Sequence, residues 1–339
     1  MKFFRNYLAT TILLFGVLSY YVPIRYNTPY PKTIGPQFDN NVRTIYIDSL
    51  NAKRPEFFLL GDSMPGQAID EITLSTQLGK KVELVSLPGT ASTIWYLIIK
   101  NNIVLAEHKP KYLVIFFRDS LMTVPGYRVT GRYFELIDEF ATRSDTLLVE
   151  RAYINQMGFF EKFMEARLPL FGSRWTIRKS IDYYIRYPLG RTLLDCNTAC
   201  IDQAMGVVFE QSKLDLVFLS EALNAADDYL YKRKTLNFEE QIGTSFLPEI
   251  IRLCKENNIQ LVLVRMPILR FNDPGMQPPG LDEYIQNLSA YLAENQIPFL
   301  DFDRKNMPVE YFTDALHLNE QGKMFFTQEL TKALKTLIK

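Results

Sequence analysis

The chain predicts an α/β domain, a parallel sheet wrapped in helices, behind an N-terminal membrane-spanning helix. Three observations carry this reading. Short apolar strands alternate with helical segments on both sides of a long central interval. The strand at 112–117, Tyr-Leu-Val-Ile-Phe-Phe, is apolar without interruption, as a strand covered on both faces should be. Finally, Ser63, Gly89 and Arg118-Asp119-Ser120 each follow the end of a strand. Sites in open parallel sheets lie beyond the carboxyl ends of the strands.

Taken in order, Lys2 and Arg5 precede an uncharged stretch over 6–24, close to the ~20 residues a helix needs to cross a bilayer. Basic residues ahead of the stretch favour a cytoplasmic N-terminus, which leaves the remainder outside. Tyr20 and Tyr21 stand where interfacial aromatics are expected. A cleaved signal peptide is the rival reading, although Ser19-Tyr20-Tyr21-Val22-Pro23 is a poor substitute for an Ala-x-Ala-like site. Residues 1–25 are therefore expected to anchor the chain. Residues 26–54, with Pro29, Pro31 and Pro36 among polar neighbours, read as a linker lifting the folded part from the membrane. A domain over 55–339 follows, interrupted by an insertion at 125–237.

Within that domain the first strand is expected at 56–60 and a helix at 64–78, with Ile69, Ile72 and Leu78 apolar. A second strand over 82–87 ends at Pro88-Gly89-Thr90. A long apolar helix over 91–105 stops at Lys109-Pro110, and the third strand is 112–117. The alternation resumes with a helix at 238–257, a strand at 260–264, a helix at 281–295, a strand at 297–301 and a closing helix at 320–338. The interval at 125–237 interleaves basic and aromatic residues, as in Trp175-Thr176-Ile177-Arg178-Lys179. That pattern suits a membrane surface or an anionic glycan, and it equally suits a helical cap with solvated arginines.

Composition narrows the function. The 38 basic and 38 acidic side chains cancel, so nothing in the balance points to nucleic acid. Cys196 and Cys200 are close enough to close a small disulfide loop, which an extracytoplasmic setting permits. Cys254 lies on a helical pattern and reads as a small core residue. No His or Cys cluster has metal-ligand spacing, so neither a metal nor a cofactor is implied.

The chain has only two histidines. His317 closes the segment Thr313-Asp314-Ala315-Leu316-His317, whereas His108 sits in a polar helix-ending loop and reads as a surface residue. Far upstream, Phe57-Phe58-Leu59-Leu60 runs into the turn Gly61-Asp62-Ser63. A serine needs a nearby base before it attacks a carbonyl, and histidine suits that task. Ser63 is then the candidate nucleophile, His317 the general base and Asp314 the group that orients the imidazole. The bland alternatives are an N-cap serine in a turn and a structural histidine capping the last helix.

These residues resemble the SGNH/GDSL hydrolase superfamily, whose nucleophile lies in a Gly-Asp-Ser turn after the first core strand and whose Asp and His share a late Asp-x-x-His. The resemblance covers roughly residues 55–120 and 245–335. It implies a three-layer α/β/α, flavodoxin-like parallel sheet with a largely helical insertion. It also implies an oxyanion hole built from the backbone N–H groups of Ser63 and Gly89. The family usually places Gly-x-Asn-Asp after the third strand, with the Asn side chain as a further oxyanion donor. Here Phe117-Arg118-Asp119-Ser120 stands instead: Arg118 or Ser120 can supply the donor, or Arg118 can pair with Asp62 or Asp119 in a structural bridge. An anchor followed by such a domain looks like the membrane-attached proteins of alginate acetylation and teichoic acid D-alanylation. Those partner a multi-pass membrane O-acyltransferase and act on a polysaccharide. The resemblance implies a serine acyltransferase or esterase. The missing asparagine also admits a degenerate subunit with a binding or assembly role.

Overall fold

The computed structural model describes every residue except 1, 37, 39–41, 132, 195, 209–220, 222, 270–276, 304–306 and 339. Five parallel strands form the sheet: β1 (Phe57–Gly61), β2 (Val82–Ser86), β3 (Tyr112–Phe117), β4 (Gln260–Arg265) and β5 (Phe299–Asp301). Their order is β2-β1-β3-β4-β5, the flavodoxin-like order expected. β1 and β3 are buried along their whole length, which is why both are uninterrupted apolar runs. At one edge, β2 buries only every second residue.

The register aligns the carboxyl ends of the strands. Gly61 lies opposite Ser86 and Phe116, Phe117 opposite Arg265, and Arg265 opposite Asp301. The chain order reverses between β1 and β3, so the crevice of this fold opens beyond those two strands. Ser63 and Arg118 begin just there.

Two expected helices are broken in the structure. The helix read at 64–78 is two, Ser63–Ala68 and Glu71–Leu78, because Ile69 is extended and Asp70 accepts the Thr73 N–H at 2.9 Å to start the second. Ile72, in the first turn of the second helix, is 80% exposed. The helix read at 238–257 is also two, Phe238–Ile242 capped by Asn237 and Leu247–Glu256. The apolar helix at 91–105 is present as Ser92–Ile98, continuing as a π-helical turn over Ile99–Ile103.

The chain forms two compact units, and their borders differ from those expected. The unit holding the sheet comprises residues 36–152 and 227–339. It takes in half of the segment read as linker, because the helix Ile45–Lys53 buries Leu50 fully and sends Ser49 and Lys53 to Glu83 on β2. It also takes in the first part of the expected insertion, where the helix Tyr133–Phe140 buries Ile137 and Phe140. Phe140 stacks on Tyr46 with ring centroids 5.8 Å apart.

The second unit joins residues 1–35 to 153–226. Its apolar helix Lys2–Arg25 is long and apolar enough to cross a membrane. The segment after it is bonded to the helices that follow residue 153. Lys32 donates its backbone N–H to Ala166 at 3.0 Å and its Nζ to Gly172 at 2.6 Å, and it pairs with Glu165 at 2.7 Å. Arg25 donates to the Tyr184 hydroxyl at 2.9 Å. Cys196 and Cys200 are disulfide-bonded in this unit, at the start of the helix Thr198–Val208.

Candidate active site

The serine corner is built from the end of β1. A β-carbon on Gly61 would lie 2.6 Å from Pro65 Cγ and 3.0 Å from the Phe116 carbonyl oxygen, so only glycine lets the turn fold back on the sheet. Asp62 caps the next helix by accepting the Met64 N–H at 2.9 Å, and its own carbonyl accepts the Ser86 hydroxyl at 2.5 Å. Ser63 thereby opens a helix at the rim of the sheet, half-buried. Burial raises the Asp62 carboxyl, against the pull of the Met64 N–H and the charges of Arg118, Arg128 and His317.

The histidine arrives on a loop closed by its own backbone. Phe312 and Leu318 form an antiparallel bridge, and Thr313 donates its N–H to the His317 carbonyl at 2.8 Å. Inside this loop Asp314 Oδ1 accepts the N–H groups of Leu316 at 2.8 Å and His317 at 2.9 Å. Burial would raise the Asp314 carboxyl, but the His317 ring and those two N–H groups outweigh it and hold Asp314 below the usual carboxylate range. Its carboxylate lies 2.8 Å from His317 Nδ1, which fixes the proton on that nitrogen. The Nε2 lone pair then faces Ser63 Oγ at 2.9 Å. The three residues expected to meet do meet, in a hydroxyl–imidazole–carboxylate row.

The two halves are tied behind the site. Thr327, fully buried in the closing helix Glu320–Leu337, accepts the Asp70 N–H at 3.0 Å and reaches the Ala68 carbonyl at 3.5 Å. The helix following His317 is thus bonded to the end of the helix that begins with Ser63. His108 is elsewhere: it precedes β3, at the amino edge of the sheet, and lies half-buried rather than solvated. Its backbone N–H donates to Asn51 at 3.1 Å.

Gly89 holds φ at +76°, a conformation glycine adopts freely, in the turn after β2. Of the alternatives for the residues after β3, the structure shows Arg118 beside Asp119. Ser120 is fully buried and donates its hydroxyl to the Leu230 carbonyl at 2.9 Å, so its single hydrogen is already committed. Arg118, 3% exposed, donates to the Tyr231 hydroxyl at 3.4 Å and lies 3.9 Å and 4.0 Å from Asp119 and Asp227. Both side chains serve a buried polar cluster at the strand ends.

That cluster was not foreseen. Asp119, with φ at +47°, accepts the Tyr231 hydroxyl and Arg265 Nη2, the latter at 3.2 Å. Arg265 also pairs with Asp303 at 2.7 Å and Asp301 at 3.5 Å. Charged residues closing the apolar strands β4 and β5 were the visible signal. Among the described residues no three His, Cys, Asp or Glu side chains gather as metal ligands. Cys254 is buried, which pushes its thiol up to about 12 and leaves it inert as a nucleophile.

No protein-family model matches the chain, and no curated protein matches it. Solved structures similar to it include lipases, acylhydrolases and esterases, one of them a GDSL-like lipase. A GDSL-like lipase of Bacteroides thetaiotaomicron shares 11% identity over 87% of this chain and 98% of its own, with a TM-score of 0.40. A lipase/acylhydrolase of Enterococcus faecalis shares 12% over 83% and 95%, at 0.38. A mutant acetyl-xylooligosaccharide esterase of Geobacillus shares 11% over 82% and 93%, also at 0.38. Likeness at this level leaves the functional reading to the chain's own geometry.

The strand-end cluster yields a pH test. Burial raises Asp303 to about 6, because Arg265 is shared with Asp119 and Asp301, whose charges oppose ionisation. Between about pH 4 and 6 the native state holds a proton that the unfolded chain has released, so this group's contribution to stability falls as pH rises. Melting temperatures of Asp303→Asn and wild type, compared across that window, should diverge in the variant's favour as pH increases. Parallel curves would refute the assignment.

Proposed function

We propose that this chain is a membrane-tethered serine acyltransferase or esterase that handles O-acyl groups of a cell-surface or exported polysaccharide through an acyl-Ser63 intermediate. One observation carries the reading: Ser63, His317 and Asp314 form a continuous proton-transfer row, 2.9 Å and 2.8 Å between successive heavy atoms. In this reading His317 Nε2 takes the Ser63 proton as Oγ attacks the acyl carbonyl. The imidazolium, stabilised by Asp314, returns that proton to the departing alcohol. Water or a sugar hydroxyl then gives its proton to His317 and takes the acyl group from Ser63, and His317 returns that proton to Ser63 Oγ as the acyl–Oγ bond breaks. The backbone N–H groups of Ser63 and Gly89 receive the developing oxyanion. Water as acceptor makes the protein an esterase, and a sugar hydroxyl makes it a transferase.

The tether is part of the proposal. Lys2–Arg25 spans the bilayer once, its N-terminus cytoplasmic and the sheet unit outside, beside a multi-pass membrane O-acyltransferase that brings acyl groups across. Retention of this helix is supported by Arg25, Tyr30 and Lys32, which bond to the helices following residue 153 and so belong to a folded unit. Exposed Phe159, Phe160 and Phe163 in that unit, with the basic helix Arg174–Leu194, suit a headgroup surface. The competing reading, a degenerate subunit with a binding or assembly role, is favoured by the engagement of Arg118 and Ser120 in the buried cluster.

A fluorophosphonate probe decides between them. Wild type should be labelled and should hydrolyse nitrophenyl acetate. Ser63→Ala and His317→Ala should lose both, with turnover down by roughly 10⁴–10⁶-fold. An unlabelled, inactive wild type would favour the subunit reading. For the tether, Trp95 is fully buried whereas Trp175 is 42% exposed in the basic helix. Brominated lipids should quench the full-length protein in vesicles, and Trp175→Phe should abolish the quenching. Equal emission in brominated and ordinary lipid would contradict the surface placement.

A further inference from the structure

With Arg118 and Ser120 engaged elsewhere, the site needs another group in place of the missing asparagine. The turn before Tyr133 offers one. Arg128 is half-buried and holds φ at +54°, a left-handed conformation that arginine rarely adopts and that recurs at functional sites. Its guanidinium lies over Gly89. A β-carbon on that glycine would come within 2.9 Å of Arg128 Nη1 and 2.7 Å of the Tyr133 hydroxyl. Glycine at 89 therefore makes room for the arginine as well as for its own left-handed turn. The rings of Tyr127 and Tyr133 flank the guanidinium at 4.9 Å and 5.4 Å, holding it in place through cation–π contact.

Its charge is felt at Asp62, the residue before the nucleophile. Arg118 and Arg265 are both tied to carboxylates, whereas no carboxylate among the described residues lies within ion-pair distance of Arg128. A cation held over Gly89, with no ion-pair partner among the described residues, suits an anion that forms there.

We propose that Arg128 is the third donor of the oxyanion site, a catalytic residue presented by the left-handed turn and the two tyrosine rings. As the Ser63 Oγ–C bond forms, the carbonyl π pair moves onto oxygen, and the Arg128 guanidinium donates to that oxygen beside the Ser63 and Gly89 N–H groups. The pair returns to the carbonyl when the alcohol leaves, and Arg128 keeps its protons throughout. A guanidinium is charged where the absent asparagine amide is neutral, so it compensates for being partly open to water.

This proposal rests on the acyl-Ser63 reading, and its test separates the two. Nitrophenyl acetate, a neutral substrate, is offered to wild type, Arg128→Lys, Arg128→Met, Arg128→Ala and Ser63→Ala, with melting temperature checked for each. Arg128→Met should lower kcat by roughly 10²–10³-fold with KM within about twofold, as removal of an oxyanion donor does. Arg128→Lys should recover part of the loss, and added guanidinium should partly rescue Arg128→Ala. Turnover by Arg128→Met within about threefold of wild type would overturn the assignment. So would a raised KM at unchanged kcat, the mark of ground-state binding. Full activity in Ser63→Ala would overturn the acyl-serine reading itself and this proposal with it.

Discussion

His317 is held at both ring nitrogens, and the rest of the site is arranged to make that possible. Asp314 carries the Nδ1 side and is itself fixed by two N–H groups of its own loop. Ser63 meets the Nε2 side from a position 254 residues away in the chain. Closing so long a loop costs conformational entropy, which a buried core must offset. The fully buried strands β1 and β3 supply that core, and Thr327 sets the spacing by bonding the helix after His317 to the one after Ser63. An error of about 1 Å in such a row is enough to lower catalysis severely.

The strand-end cluster accounts for the positions of the charged side chains that close β3, β4 and β5. Asp119, Arg265, Asp301 and Asp303 form a buried network across the ends of β3, β4 and β5, with Tyr231 and Arg118 closing it on the far side. Buried ion pairs add little over well-packed apolar groups, but removing a single partner typically costs ~3–5 kcal/mol. The network holds Arg118 against Tyr231, Asp119 and Asp227. Arg128 lies instead against Gly89.

Legibility from sequence followed the range of each interaction. The strands could be read because a parallel strand covered on both faces has to be apolar throughout, and that is a local property. Ser63, Asp314 and His317 could be read because the chemistry demands those residue types and the chain has so few histidines. The break at Ile69 could not, since a single capping aspartate overrode the apolar periodicity that suggested one helix. Nor could the borders of the two units. Tyr30 and Lys32 are bonded to partners 133–143 residues away, and such contacts leave no local pattern. The partners of Ser120 and Arg118 are hidden for the same reason: Leu230 and Tyr231 lie 110 and 113 positions further on.

The central claim is that the hydroxyl of Ser63 becomes a covalent carrier of the acyl group. Rapid acid quench of the full-length protein with nitrophenyl acetate, followed by peptide mass spectrometry, tests it directly. The account predicts an acetyl group on the peptide containing Ser63, formed within the turnover time and absent when His317 is alanine. Substrate turnover with no modification at Ser63, or acetyl groups scattered over surface lysines alone, would contradict it.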